Sequence, residues 1–189
     1  MDIQNAAKNI KVLFLDSDGV IFPNTVLMGA PFMAKSRSYY DGQGISLLRA
    51  IGIRIAIITN EKDQAADAIR TTVEKWNSLP SSKPQQSDGW EPIVLYEGCG
   101  GEQKSAAAEE FLASRGLSFS DAGFMGDDMV DVPLLRTVAL PAAPASAERA
   151  IRDLCTFVAE RNGGEGAIRD FTNMILAARN IDPFLLPAQ

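Results

Sequence analysis

Two aspartates separated by a single residue follow a short apolar run near the start of the chain, at Asp16 and Asp18. The run Val12–Leu15 predicts a buried strand, and open α/β sheets bind their ligands at the carboxyl ends of such strands. There Asp16 could act as a nucleophile, with Asp18 one step away as acid and base. Gly19 permits a sharp turn that brings backbone N–H groups towards an anion. Alternatively, Asp and Gly are ordinary turn residues, and the strand simply ends in a polar turn.

Polar residues also follow two later apolar runs. Thr59 and Asn60 come directly after Ile53–Ile58, and their hydroxyl and amide groups can bind an anionic oxygen. The same residue types are common helix N-caps, which is the alternative interpretation. Lys104 stands in the predicted helix after Ile93–Tyr96. A single lysine is usually a solvated charge, so its importance depends on what surrounds it.

A third group of polar residues follows the apolar run Ala122–Met125. Asp127 and Asp128 are adjacent there, and Asp131 comes three residues later. Asp128 could cap the next helix, with Asp131 in its first turn. Two adjacent acids after a buried strand are nevertheless difficult to explain by packing.

Carboxylates that meet at one edge of a sheet need a counter-charge. Asp16, Asp18, Asp127 and Asp128 would repel one another strongly in a partly desolvated cleft. A divalent cation with oxygen ligands removes this repulsion, and Mg²⁺ typically binds one or two carboxylates together with a substrate phosphate. The predicted ligands of Mg²⁺ are Asp16, Asp18 and Asp127. Asp128 and Asp131 are predicted to hold these ligands in place without binding the ion themselves.

Such a site suits the transfer of a phosphoryl group. Attack by Asp16 on phosphorus gives an aspartyl-phosphate, while Lys104 and Thr59 hold the phosphoryl oxygens. Asp18 protonates the leaving alcohol and then deprotonates the attacking water. The candidate catalytic residues are Asp16, Asp18, Thr59 and Lys104, and the candidate substrate-binding residues at this stage are Gly19, Asn60 and Lys104.

Composition excludes several other classes of function. The 189 residues suit one domain, 1–189, and contain no histidine, so histidine-based catalytic triads are excluded. The net charge of −6 without a basic run argues against nucleic acid as a partner. No apolar stretch approaches the length of a membrane span, and the first residues do not resemble a signal peptide, so we expect a cytoplasmic protein. Cys99 and Cys155 lack the spacing of metal ligands.

The apolar runs alternate with helical segments. Besides the four runs above, strands are predicted at about 137–140 and 156–159, and helices at about 43–51, 61–76, 103–115, 128–136, 145–154 and 165–179. This alternation predicts an α/β fold, with a mostly parallel sheet that helices cover on both faces. Two segments depart from it: 22–40 predicts a projecting hairpin, and the Pro/Ser-rich 77–92 predicts an exposed loop.

The order of these motifs resembles the haloacid dehalogenase (HAD) superfamily of phosphotransferases. Further stretches resemble its capless 3-deoxy-D-manno-octulosonate (KDO) 8-phosphate phosphatases. Nonulosonate 9-phosphate phosphatases and the C-terminal domain of some CMP-sialate synthetases are similar too. The stretches that carry the resemblance are Asp16–Val20, Asp41–Leu48, Ile55–Thr59, Gly126–Pro133 and Gly163–Arg169.

This resemblance implies a Rossmann-like domain without a large cap, in which Mg²⁺ assists hydrolysis of a small sugar-acid phosphate. It also implies a homotetramer in which a hairpin, here 22–40, helps to cover a neighbour's active site. The segment Gly163–Arg169 contributes to closure in that family. Arg169 therefore becomes a further candidate for contact with the substrate, although it could equally be a surface arginine near a helix start.

Several positions depart from the family pattern. Phe22 and Tyr40 replace residues common in the family, and Glu61 stands where the family has an arginine. These departures leave open a catalytically idle oligomerisation module, like the synthetase-linked domain. The retained acids argue against it, because an idle site does not need clustered carboxylates. A phosphorylatable receiver domain also uses acids, Thr and Lys. It fits less well, because the strand expected to carry its acceptor aspartate ends in Thr59.

Overall fold

The computed structural model describes residues 2–29, 32–79 and 91–186. Six parallel strands form the main sheet: β1 (Val12–Leu15), β4 (Arg54–Ile58), β5 (Val94–Tyr96), β6 (Ala122–Met125), β7 (Leu140–Ala143) and β8 (Phe157–Val158). Their order is β5-β4-β1-β6-β7-β8, and every neighbouring pair is parallel. All six carboxyl ends therefore lie at one edge. The chain leaves β1 towards β4 on one side and later returns to its other side through β6, which makes β1 the switch point of the sheet.

Helices cover both faces of this sheet. They are α1 (Ile3–Asn9), α2 (Tyr39–Ala50), α3 (Asp67–Ser78), α4 (Glu102–Ala113), α5 (Val132–Leu135), α6 (Arg149–Leu154) and α7 (Ala167–Ala178). Because strand side chains alternate, Leu13 and Leu15 pack with α1, α2, α3 and α7, whereas Val12 and Phe14 pack with α4, α5 and α6. The predicted α/β fold with helices on both faces is confirmed.

A small hairpin stands apart from the main sheet. Strands β2 (Leu27–Gly29) and β3 (Phe32–Ala34) pair in antiparallel fashion within the segment predicted to project. Leu27 and Met28 are 75% and 77% exposed, so this hairpin presents apolar side chains to its surroundings. Most of the predicted 77–92 loop, residues 80–90, lies outside the described residues.

Several elements differ from the sequence-based expectation. The seventh strand is Leu140–Ala143 rather than 137–140. Thr137 belongs instead to the turn after α5, where its Oγ1 donates a hydrogen bond to the Pro133 carbonyl. The apolar run at 137–140 predicted the earlier position, but pairing with β6 decides where the strand lies, even though the strand includes Pro141. Helix α1 was not predicted.

Helix α2 begins at Tyr39, earlier than expected, because the Ser38 hydroxyl accepts a hydrogen bond from the Tyr40 N–H. No helix within the described ranges combines the length and apolar content needed to cross a bilayer.

Candidate active site

The loop after β1 carries the paired aspartates into the centre of the sheet edge. The Asp16 N–H donates a hydrogen bond to the Met125 carbonyl, so the ladder with β6 extends to this residue. The chain then turns sharply, and the N–H groups of Ile21 and Phe22 both donate to the Ser17 carbonyl. Asp16 remains only 7% exposed. Its carboxylate is therefore held on a rigid, buried strand end.

Lys104 enters this site from the first turn of α4. Its side chain is buried, and its Nζ lies 2.5 Å from Asp16 Oδ1 and 2.6 Å from Asp131 Oδ1. A buried ammonium is tolerated only when carboxylates of this kind compensate its charge. Lys104, a candidate catalytic residue, is thus an internal counter-charge for two acids that are distant in the chain.

The loop after β6 is ordered by Asp131. Asp131 Oδ2 accepts hydrogen bonds from the N–H groups of Asp127, at 2.9 Å, and Asp128, at 3.2 Å. The Asp128 side chain is exposed and caps the following short 3₁₀ turn through the Met129 N–H. Asp131 therefore orients the loop that presents Asp127, and Asp128 shapes its next turn.

Three buried carboxylates lie close enough together to bind one cation. Asp16, Asp127 and Asp131 each place a carboxylate oxygen within 4.8 Å of the other two. Burial, with the neighbouring acids, raises the pKa of Asp16 to about 7 and that of Asp127 to about 8. Both shifts indicate negative charge that the protein alone does not fully compensate. Hard oxygen donors of this type fit a divalent cation such as Mg²⁺.

Asp18 occupies a different position from that expected of it as a ligand. Its Oδ1 accepts a hydrogen bond from Lys35 Nζ at 2.6 Å, and its carboxylate is not one of the three that cluster. Asp131 takes that place, although Lys104 and two backbone N–H groups already bind its oxygens. Asp16 and Asp127 are therefore the acids best placed to hold an ion.

A cavity of about 390 Å³ opens over these acids. Thr59 and Asn60, at the end of β4, stand in its wall, and the Thr59 Oγ1 accepts a hydrogen bond from the Glu61 N–H at 3.1 Å. The lining residues are Asp16, Asp18, Asn24, Thr25, Val26, Lys35, Thr59, Asn60, Glu61, Lys104, Asp127, Asp128 and Val130. Of the candidate catalytic residues, all four line this one cavity.

Lys35 and Asn24, which flank the hairpin, were missed by the sequence reasoning. Asn24 Nδ2 donates to Asp127 Oδ2 at 3.2 Å, and Lys35 Nζ lies 2.6 Å from Glu61 Oε2 as well as contacting Asp18. The acidic Glu61, which departs from the family pattern, is therefore paired with a cation from the hairpin. The one available signal was a lysine within the segment predicted to project, 22–40.

Gly19 lies against the acid cluster through its backbone. Its φ is +81°, and a Cβ there would stand 1.9 Å from Asp127 Oδ2. On its other side, a Cβ at Gly163 would stand 1.6 Å from the Gly19 carbonyl oxygen. The Gly164 N–H also donates to the Val20 carbonyl at 2.8 Å. The Gly163–Gly164 segment thus packs against the turn after β1 by backbone contact.

Arg169 lies elsewhere in the single chain. Its guanidinium donates to Gln43 Oε1 and to Asn173 Oδ1, both at 3.0 Å, and it does not line the cavity. Its backbone N–H and that of Gly166 donate to the buried Asp41 carboxylate, which ties the start of α7 to α2. Contact of Arg169 with a substrate therefore stays a prediction.

Comparison with known proteins finds curated relatives that share one name. No family model matches the chain. The KDO 8-phosphate phosphatase of Yersinia pestis is 28% identical over 180 residues, covering 95% of this chain and 86% of that protein. The phosphatase of the same name from Escherichia coli K12 is 27% identical over 179 residues, covering 94% and 85%.

Solved structures extend the likeness to the fold. The Yersinia pestis phosphatase structure has a TM-score of 0.84 and 26% identity, covering 100% of this chain and 91% of that one. A Legionella pneumophila protein assigned to subfamily III A of the HAD hydrolases has a TM-score of 0.80 and 29% identity, covering 94% and 88%. A Moraxella catarrhalis phosphatase, which holds magnesium, phosphate and KDO, is 22% identical with a TM-score of 0.80, covering 95% and 92%.

Proposed function

We propose that this chain, a KDO 8-phosphate phosphatase-like protein of the HAD superfamily, hydrolyses a small sugar-acid phosphate monoester. The observation that carries the proposal is the buried Lys104 ammonium between Asp16 and Asp131, at a cavity that Asp18 and Thr59 also line. A nucleophile, an acid–base group and a fixed cation thus share one space. These are the groups that phosphoryl transfer requires.

The reaction would proceed in two displacements at phosphorus. A carboxylate oxygen of Asp16 attacks the phosphorus atom, and the bond from phosphorus to the sugar oxygen breaks. Asp18, in its carboxylic acid form, gives that oxygen its proton. The Asp18 carboxylate then takes a proton from water, whose oxygen attacks phosphorus and releases Asp16 and inorganic phosphate. Lys104 and Thr59 would hold the phosphoryl oxygens in both steps.

Mg²⁺ fits the acid cluster, and Asp16 and Asp127 would hold it. When bound, the ion supplies positive charge that balances the carboxylates and the phosphate dianion. Asp18 would reach it through its backbone carbonyl oxygen, because Lys35 binds Oδ1 and the other carboxylate oxygen serves the proton transfer. Asp131 would continue to orient the Asp127 loop through the backbone.

The proposed substrate class rests on the relatives. Phosphatases of KDO 8-phosphate are similar over nearly the whole chain, so KDO 8-phosphate or a nonulosonate 9-phosphate is the proposed ester. Gly19, Asn60, Lys104 and Arg169 would contact it, and the enzyme would act as a homotetramer. Both cysteines are free, as in proteins of a reducing compartment, so we place the enzyme in the cytoplasm.

The direct test is phosphate release with Mg²⁺ from KDO 8-phosphate, a nonulosonate 9-phosphate, glucose 6-phosphate and p-nitrophenyl phosphate. Asp16→Asn keeps the size of the nucleophile but removes its charge, and it serves as the control. We expect one ester to be strongly preferred and its turnover to be lost in the variant. Equal turnover by Asp16→Asn would exclude the mechanism. Absence of turnover and of Mg²⁺ binding in folded protein would favour the idle oligomerisation module.

A further inference from the structure

Lys35 is fixed in the wall of the active-site cavity, although it belongs to the segment that leaves the hairpin. Its Nζ lies 2.6 Å from Asp18 Oδ1 and 2.6 Å from Glu61 Oε2. Its side chain is only 4% exposed, and its Nζ stands 5.5 Å from the centre of the Phe22 ring. Carboxylates on two sides and an aromatic face on a third leave this ammonium little freedom.

Asp18 needs such a partner because the neighbouring acids repel it. Asp16 and Asp127 carry carboxylates into the same cavity, and like charges in a partly desolvated site disfavour each other strongly. Among the described residues that line the cavity, Lys35 and Lys104 are the cations, and Lys104 binds Asp16 and Asp131. Lys35 is therefore the cation that holds Asp18.

We propose that Lys35 is a positioning residue, which fixes the Asp18 carboxyl group where the leaving oxygen of the substrate receives its proton. This inference rests on the proposed phosphatase reaction and adds to it a residue of the hairpin. The same ammonium also donates a hydrogen bond to Glu61, in the loop after β4. Lys35 therefore connects the segment after the hairpin to both Asp18 and that loop.

A simpler role for Lys35 would be to neutralise Glu61. In that case the residue matters only because an unpaired glutamate would repel the phosphate, and removing the charge of Glu61 would make Lys35 dispensable. The two roles therefore predict different kcat/KM values for the double variant Lys35→Met/Glu61→Gln. They also differ in how the rate depends on the leaving group.

The first experiment measures kcat/KM, which reports the steps up to formation of the phosphoenzyme, for Lys35→Met on two esters. A sugar phosphate leaves as a poor alkoxide and needs the proton of Asp18, whereas nitrophenolate leaves without one. We expect kcat/KM to fall roughly 100-fold on the preferred sugar phosphate and less than about 5-fold on p-nitrophenyl phosphate. An equal loss on both esters would overturn the proposal, because a merely structural defect acts on both alike.

Matched variants distinguish the effect of the position of Lys35 from the effect of losing one positive charge. Lys62→Met removes the same charge from an exposed lysine next to Glu61, and we expect kcat/KM to stay within about 3-fold of the wild type on both esters. Lys35→Arg keeps a cation at the position and should recover at least about a tenth of the sugar-phosphate activity. The double variant Lys35→Met/Glu61→Gln should stay as impaired as Lys35→Met. Recovery to wild-type kcat/KM in the double variant would overturn the proposal, because it would show that Lys35 serves only to neutralise Glu61.

Crystal structures of the wild type and Lys35→Met test the placement without turnover. We expect the Asp18 carboxylate to turn away from its wild-type position when Lys35 is replaced. An unchanged Asp18 would contradict the proposal even in an active enzyme. If the wild type hydrolysed none of the esters, the proposed function would fail, and the two structures would still decide whether Lys35 positions Asp18.

Discussion

At the scale of single residues, the site is built around a buried ammonium. Lys104 satisfies Asp16 and Asp131 together, and Asp131 in turn binds the backbone N–H groups of the loop that carries Asp127. The proposed nucleophile Asp16 and the proposed metal ligand Asp127 are thereby connected through Lys104 and Asp131. Removing that lysine leaves two buried carboxylates without their counter-charge, so stability and chemistry depend on the same contact.

Replacing Lys104 by Met should lower the free energy of unfolding by about 3–5 kcal/mol at about pH 8 without metal, the usual cost of breaking a buried pair. Urea unfolding followed by circular dichroism measures the change. Lys8→Met, at an exposed position of α1, is the matched control and should lie within about 0.5 kcal/mol of the wild type. A Lys104→Met protein as stable as this control would show that the ion pairs contribute nothing.

The raised pKa values of Asp16 and Asp127 predict an unusual pH dependence for the metal-free chain. Both exceed the value near 3.8 of an ordinary aspartate, reaching about 7 and about 8. The folded chain therefore binds more protons than the unfolded chain between about pH 4 and pH 8. Its free energy of unfolding should fall as the pH rises through this window.

Urea unfolding at about pH 5 and pH 8, with a chelator and with excess Mg²⁺, tests this dependence. We expect Mg²⁺ to stabilise the chain more at the higher pH, because fewer protons then compete for the carboxylates. Asp127→Asn should weaken both the pH dependence and the effect of Mg²⁺. A metal-free wild type whose stability rises across the window would contradict the raised pKa values.

At the scale of secondary-structure elements, loops rather than helices complete the site. The turn after β1 is pressed between the Asp127 loop and the Gly163–Gly164 segment, and Asp41 of α2 accepts a hydrogen bond from the N–H of Gly166, two residues after that segment. Backbone contacts of this closeness tolerate no side chain. The Asp127 carboxylate therefore occupies space that is free only because residue 19 is glycine.

Gly19→Ala should weaken Mg²⁺ binding at least about 10-fold, because the added methyl group must displace the Asp127 carboxylate. Gly52→Ala is a close control: its φ of +82° matches the +81° of Gly19, but its Cβ would have no neighbour within 4 Å. We expect the control to lose about 1 kcal/mol of stability from backbone strain alone. Titration calorimetry measures the Mg²⁺ affinity of both variants. Equal affinities in Gly19→Ala and Gly52→Ala would contradict the steric argument.

At the scale of the whole molecule, the hairpin leaves apolar surface uncovered in the single chain. Leu27 and Met28 are mostly exposed, yet Val26 nearby lines the active-site cavity. Exposed apolar residues next to a functional cavity are typical of an interface between subunits. This surface supports the proposed homotetramer, in which a hairpin would cover a neighbour's site.

Leu27→Glu/Met28→Glu should shift the protein towards monomers, because a charged pair cannot be buried in an apolar interface. Light scattering coupled to size-exclusion chromatography measures the mass. Ala106→Glu/Ala113→Glu adds the same charges to exposed positions of α4 and should leave the mass unchanged. A wild type that is already monomeric would contradict the tetramer.

Much of the architecture follows from local signals in the chain. Apolar runs of strand length predict parallel strands, and the Asp, Thr or Gly that follows three of them predicts polar residues at one edge, because hydrophobic period and turn chemistry act over a few residues. The positions of Asp16, Thr59 and Asp127 at strand ends follow from these signals. The shift of β7 to Leu140–Ala143 does not, since pairing with β6 overrides local propensity.

The α/β fold and the residue types at the sheet edge could be predicted from the chain alone, because both depend on short-range patterns. The partners that those residues take follow from the packing of distant segments. Asp131 rather than Asp18 joins Asp16 and Asp127 in the cluster, and Lys35 joins Asp18 to Glu61. Such contacts depend on side-chain directions and on segments far apart in the chain, as in Asn24 with Asp127, 103 positions away. No local pattern encodes them.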